Sequence, residues 1–128
     1  MSLRDQLRIM VVDDMSTSRG LITQALDAFG IPNVATAENG VDALKALASS
    51  PVHLVISDYN MPQMDGLQLL HQLRSSPKTK GVGFILITGR AEQQIVDHGK
   101  KLGMNNYLKK PFEQEGLRNC IEAVVGRL

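Results

Sequence analysis

Five residues of this 128-residue chain have the types and positions needed for shared chemistry: Asp13, Asp14, Asp58, Thr88 and Lys110. Each stands at the end of a short run suited to a strand: residues 9–12 before the acid pair, 52–57 before Asp58, 84–87 before Thr88 and 107–109 before Lys110. A carboxylate at the end of a buried run is costly unless something pairs with it. Three of them together repel one another and resist full ionisation at neutral pH. A hard divalent cation resolves that conflict, and magnesium typically takes one or two carboxylates, several waters and a phosphate oxygen. A carboxylate is also a competent nucleophile toward phosphorus, giving an acyl phosphate. Such a transfer asks mainly for positioning and for neutralised charge on the phosphoryl oxygens. An ammonium such as that of Lys110 and a hydroxyl such as that of Thr88 supply both.

Singly, each piece has a plainer reading. An Asp-Asp pair after a strand often opens a loop or caps a helix. A threonine after an apolar run is ordinary, and a lysine before a proline is usually solvated. Their conjunction at the ends of several strands is far more specific. Nothing suits a softer metal: Cys120 lies on a helical stripe, and His53, His71 and His98 share no ligand spacing. Cys120 therefore reads as core, and the three histidines as surface or boundary residues.

The elements that must position these groups follow from the hydrophobic pattern. Residues 9–12 form a first strand. Leu21, Ile22, Ala25, Leu26 and Phe29 recur at helical spacing, with Gly30 and Pro32 as stop signals. A weak second strand covers 34–37. Asn39-Gly40 introduces a helix bearing Val41, Leu44 and Leu47, and a third strand covers 52–57. Asp65 is placed to cap a helix with Leu67, Leu70 and Leu73 on one side. A loop over 75–83 leads to the fourth strand, 84–87. Ile95, Val96 and Leu102 mark a helix closed by Gly103, and 107–109 is a short fifth strand. Leu117, Cys120, Ile121, Val124, Val125 and Leu128 give the cleanest helical stripe. Five strands alternating with five helices predict an α/β fold, a doubly wound parallel sheet with helices on both faces. Continuous rather than alternating apolar runs agree with strands buried on both sides. In such sheets ligands bind beyond the carboxyl ends of the strands, the rim to which all five residues belong.

Composition bounds the rest. Hydrophobic residues make up 43% and charged residues 21%, with a formal net charge of +1, values of a globular protein that is no general nucleic-acid binder. A single domain spanning 1–128 is expected, with no membrane-spanning stretch and no signal pattern. The lone cysteine fits a reducing, cytoplasmic setting. Charge is unevenly placed: residues 1–77 hold five Lys/Arg against eight Asp/Glu, and 78–110 hold seven against two. This suggests one face for a cation and another for an acidic partner.

The segments VVDD, SDYNMPQMDG, ILITG and YLKKPF, with the spacing from Asp58 to Thr88 to Lys110, resemble the receiver domain of two-component response regulators. The likeness covers essentially the whole chain and is close to the single-domain chemotaxis (CheY-type) members. It implies a flavodoxin-like (βα)5 sheet of order 2-1-3-4-5, an order documented for CheY itself and not one that periodicity yields. It further implies that Asp58 accepts a phosphoryl group from a sensor histidine kinase (CheA-like), with Mg2+ as cofactor. Asp14, Asp58 and the backbone carbonyl of Asn60 would ligate the ion directly, and Asp13 through water. Lys110, held by a cis bond to Pro111, would contact the phosphoryl group. Thr88 would swing toward the phosphate and Tyr107 would follow inward, changing the helix 4–strand 5–helix 5 face. The target of that face would be a flagellar switch protein or another signalling target. No nucleic acid, no membrane and a monomer are implied, and no enzymatic activity beyond the protein's own phosphorylation and dephosphorylation.

The family tunes phosphoryl lifetime two places beyond the phosphoacceptor and beyond the threonine, here Asn60 and Arg90. Gly89 stands where many relatives have alanine, so the site is expected to be more open to water. Lys109 should point away from the site. Two other functions use the same features. One is a phosphate sink that drains a shared kinase, and the other a magnesium-dependent phosphatase with an aspartyl nucleophile. The phosphatase would want an acid two residues past Asp58, where Asn60 stands. A flavin-binding relative of the same fold is disfavoured by the acidic DDMSTSRG loop.

Overall fold

In the computed structural model, which describes residues 2–89 and 92–128, five strands form one parallel sheet. These are β1 (Arg8–Val12), β2 (Asn33–Ala37), β3 (Leu54–Asp58), β4 (Gly83–Thr88) and β5 (Asn106–Lys109), in the order β2-β1-β3-β4-β5. The helices are α1 (Leu3–Gln6), α2 (Ser16–Ala28), α3 (Gly40–Ser49), α4 (Gly66–Arg74), α5 (Gln93–Leu102) and α6 (Gln114–Val125). The expected doubly wound fold and its strand order are therefore observed. The five expected helices are α2–α6; α1 is one extra turn, too short to leave a periodic signal. Its Arg4 guanidinium donates to the carbonyl of Phe29 at 3.4 Å, just past the end of α2.

The alternation of side chains along each strand divides the core in two. Ile9 and Val11, Leu54 and Ile56, and Ile85 and Ile87 pack with Ile22 and Leu26 of α2 and Leu117 and Ile121 of α6. Met10 and Val12, Val55, and Phe84 and Leu86 pack with Leu47 of α3, Leu67, Leu70 and Leu73 of α4, and Ile95 of α5. Both faces of the sheet are covered, which is why the strands read as unbroken apolar runs. Cys120 is buried and His53, His71 and His98 are exposed, as expected.

Three stripe residues fall elsewhere than the periodicity placed them. Leu21 and Val41 are exposed, because Ile22, Ala25 and Leu26 on α2, and Ala43 and Leu47 on α3, already fill the contact with the sheet. Leu128 lies beyond the end of α6. The third strand begins at Leu54 rather than at 52, since the imidazole Nδ1 of His53 accepts from the main-chain N–H of Arg8 at 3.0 Å.

Local signals set the element ends. The Asn39 side chain accepts from the N–H of Asp42, capping α3. Asp65 and Gln68 form a reciprocal capping box at the start of α4. Gly103 ends α5 with a φ of +97°, a left-handed conformation that glycine takes without a Cβ penalty. The register then levels the strand ends: Val12 lies beside Ala37 and Ser57, Asp58 beside Ile87, and Thr88 beside Lys109. Among the described residues no helix is long and apolar enough to cross a membrane.

Candidate functional site

Asp13 continues the line of β1, its N–H donating to the carbonyl of Ala37 at 3.1 Å. It is wholly buried. Its Oδ1 accepts from the N–H of Met15 at 3.0 Å, and its carbonyl accepts from Arg19 Nη1 at 2.8 Å. Its Oδ2 is the one buried side-chain polar atom among the described residues with no hydrogen-bond partner. Asp14, the next residue, is exposed.

Asp58 is the last residue of β3 and nearly buried, at 5% exposure. The chain after it stays close: the N–H of Tyr59 donates to the Ile87 carbonyl, and that of Gly66 to the Tyr59 carbonyl, both at 2.8 Å. Gly66 is required there, because a Cβ would sit 2.6 Å from the Asp58 carbonyl oxygen and equally close to Leu86. The buried Thr88 ends β4, and its carbonyl accepts from the N–H of Lys110 at 2.8 Å. The Lys110–Pro111 peptide is cis. Lys110 Nζ stands 2.8 Å from Asp58 Oδ1 and 3.9 Å from Asp13 Oδ2.

The strand ends thus bring Asp13, Asp14 and Asp58 together, with one oxygen of each within 4.8 Å of the others. Burial is the largest influence on Asp58 and raises its carboxyl above the ordinary carboxylate value; the hydrogen bond and charge of Lys110 oppose this, while Asp13 and Asp14 add to it. One ammonium does not offset three carboxylates. The donor set fits a hard divalent cation: all oxygen, one member solvent-facing, and a buried carboxylate oxygen that no protein donor satisfies.

The remaining expected residues that are described are all exposed. Asn60 is exposed on the loop leaving β3, and Gly89 is exposed just past β4. Tyr107, in β5, is exposed, and so is Lys109. Arg90 lies outside the described residues. Sequence reasoning missed Arg19, whose contact is with a main-chain oxygen. Only its place in the first turns of the helix after the acid pair hinted at it.

Three comparisons place this geometry. Residues 9–122 match the model of the response regulator receiver domain. The chain is 41% identical, over its whole length and 99% of the relative, to a probable chemotaxis protein CheY of Rhizobium etli. It is 38% identical to chemotaxis protein CheY1 of Helicobacter pylori (strain 26695), over 94% of this chain and 98% of that one. Among solved structures it is similar to chemotaxis protein CheY4 of Vibrio cholerae, with a TM-score of 0.87 and 28% identity over 92% of this chain and 98% of that one. By sequence and by fold alike, the chain belongs to the response regulator receiver family.

Proposed function

We propose that this protein is a response regulator of the chemotaxis type, switched by phosphorylation of Asp58 in the cytoplasm. The carrying observation is the pairing of a nearly buried Asp58 with Lys110 Nζ at 2.8 Å beside an unsatisfied Asp13 oxygen. A carboxylate oxygen of Asp58 attacks the phosphorus of a phosphohistidine on a kinase, forming the acyl phosphate as the P–N bond breaks and the imidazole leaves. Lys110 is placed to follow the charge onto the phosphoryl oxygens, and Thr88 to donate to one of them. Asp14, Asp58 and the Asn60 carbonyl would hold Mg2+, with Asp13 acting through water. The ion supplies positive charge to the phosphoryl oxygens.

Phosphorylation then draws Thr88 toward the site and Tyr107 inward from its exposed position. That change alters the face built by α5, β5 and α6, through which a flagellar switch protein or another signalling target binds. The protein turns over no external substrate; its chemistry is confined to Asp58, with Asn60, Gly89 and Arg90 setting the lifetime of the acyl phosphate. Incubation with acetyl phosphate and Mg2+ should add one phosphate, seen by intact-mass spectrometry, that is absent in Asp58→Asn. Retention of that phosphate in the variant would refute the assignment. Failure of the Mg2+–beryllofluoride form to bind any switch component would redirect the reading to a phosphate sink.

A further inference from the structure

We infer that Arg19 is a positioning residue for the cation site, an inference that rests on the metal reading above. The side chain is mostly buried, at 19% exposure, and reaches back from α2 to the carbonyl of Asp13 at 2.8 Å. Asp14 lies between two peptide planes, and both are tied. The plane before it carries the Asp13 carbonyl held by Arg19, and the plane after it carries the Met15 N–H held by Asp13 Oδ1. Peptide groups are planar, so fixing the two that flank one Cα fixes its φ and ψ. Arg19 therefore helps fix the backbone from which the exposed carboxylate of Asp14 projects.

The Met15 N–H, on the far side of Asp14, also commits the Asp13 carboxylate. With Oδ1 engaged by Met15, only Oδ2 remains for the site, where it stands without a hydrogen-bond donor. The second guanidinium nitrogen approaches Glu38 Oε1 at 3.8 Å, but Glu38 is 73% exposed and this pair is a weak anchor. The carbonyl contact is the strong one, since an ionised donor shortens and strengthens a hydrogen bond.

The two roles open to Arg19 have opposite signs. As a mere positive charge beside the acids, it repels a dication, and its removal tightens Mg2+ binding. As a positioning residue, it supports the ligands, and its removal weakens binding. Titration calorimetry of the full chain with MgCl2, paired with thermal melting in its absence, separates them. Arg19→Ala should bind Mg2+ about tenfold more weakly, the usual size of an outer-shell loss. Arg19→Lys, which keeps a donor of similar reach, should recover part of that, and Glu38→Gln should change affinity less than about twofold. Arg19→Met serves if the alanine variant does not fold, with the same weakening expected. Unchanged or tighter binding in the alanine or methionine variant, even with a lowered melting temperature, overturns the inference while the metal reading stands. A parent chain that takes up no Mg2+ overturns both.

Discussion

The two rims of the sheet are built on opposite rules. At the rim where the strands begin, polar groups are matched to one another. His53 accepts from the N–H of Arg8, Asn33 donates to the Asp5 carbonyl, and Asn105 Oδ1 accepts from the N–H of Phe84 at 2.8 Å. Arg74 alone reaches the carbonyls of Lys80, Val82 and Gly103 and the side chain of Asn105. At the rim where the strands end, acids are crowded, Asp58 is raised toward its neutral form and a buried oxygen of Asp13 goes unmatched. A fold can tolerate such conflict on one side because the other side is closed. One rim holds the molecule together, and the other keeps its acids crowded and one buried oxygen unmatched.

The sharpest way to break this contrast is Arg74→Ala. Burial lowers the guanidinium pKa, yet the group ties the end of α4 to two other segments through charge-assisted bonds to the carbonyls of Lys80, Val82 and Gly103. Its loss should cost about 3 kcal/mol in urea unfolding and leave Mg2+ affinity unchanged. A smaller cost, about 2 kcal/mol, is expected for Asn105→Ala, which strands the half-buried N–H of Phe84 without its acceptor.

At the other rim, removal of charge should do the reverse. The folded carboxyl of Asp58 titrates above its unfolded value, so the folded state holds that proton more tightly. The resulting stabilisation is complete below the ordinary carboxylate range and is lost as pH rises through the raised folded value. At pH 7 without divalent ions, Asp58→Asn should therefore be the more stable form by about 1 kcal/mol, with the gap closing as pH falls. A variant less stable than the parent at pH 7 would remove the claim of conflict. The smallest effect concerns the interior between the rims. Burial pushes the Cys120 thiol up to about 11, so alkylation by iodoacetamide at pH 8 should be slow in the folded chain and fast in urea.

The acid rim was legible in the sequence because register is dictated by the apolar runs. Once 9–12, 52–57 and 84–87 are aligned by their ends as parallel strands, Asp13, Asp58 and Thr88 must emerge together. Helical spacing was a coarser guide. It placed Leu21 and Val41 on the core stripe, whereas the contact with the sheet is narrow enough for their neighbours to fill it. The closing rim was not legible at all. Arg74 there, like Arg19 at the other rim, looks like any surface arginine, since the main-chain carbonyls it reaches are announced by no residue type.

One detail of the register carries further. Asp58 shares its side of β3 with Leu54 and Ile56, whereas Thr88 shares its side of β4 with Phe84 and Leu86. The acid and the hydroxyl thus leave the sheet toward different helical layers. Anything grasped by both straddles the sheet's edge like a saddle. A pull on the hydroxyl is felt in the layer of α3, α4 and α5, across the sheet from the side on which the acid stands.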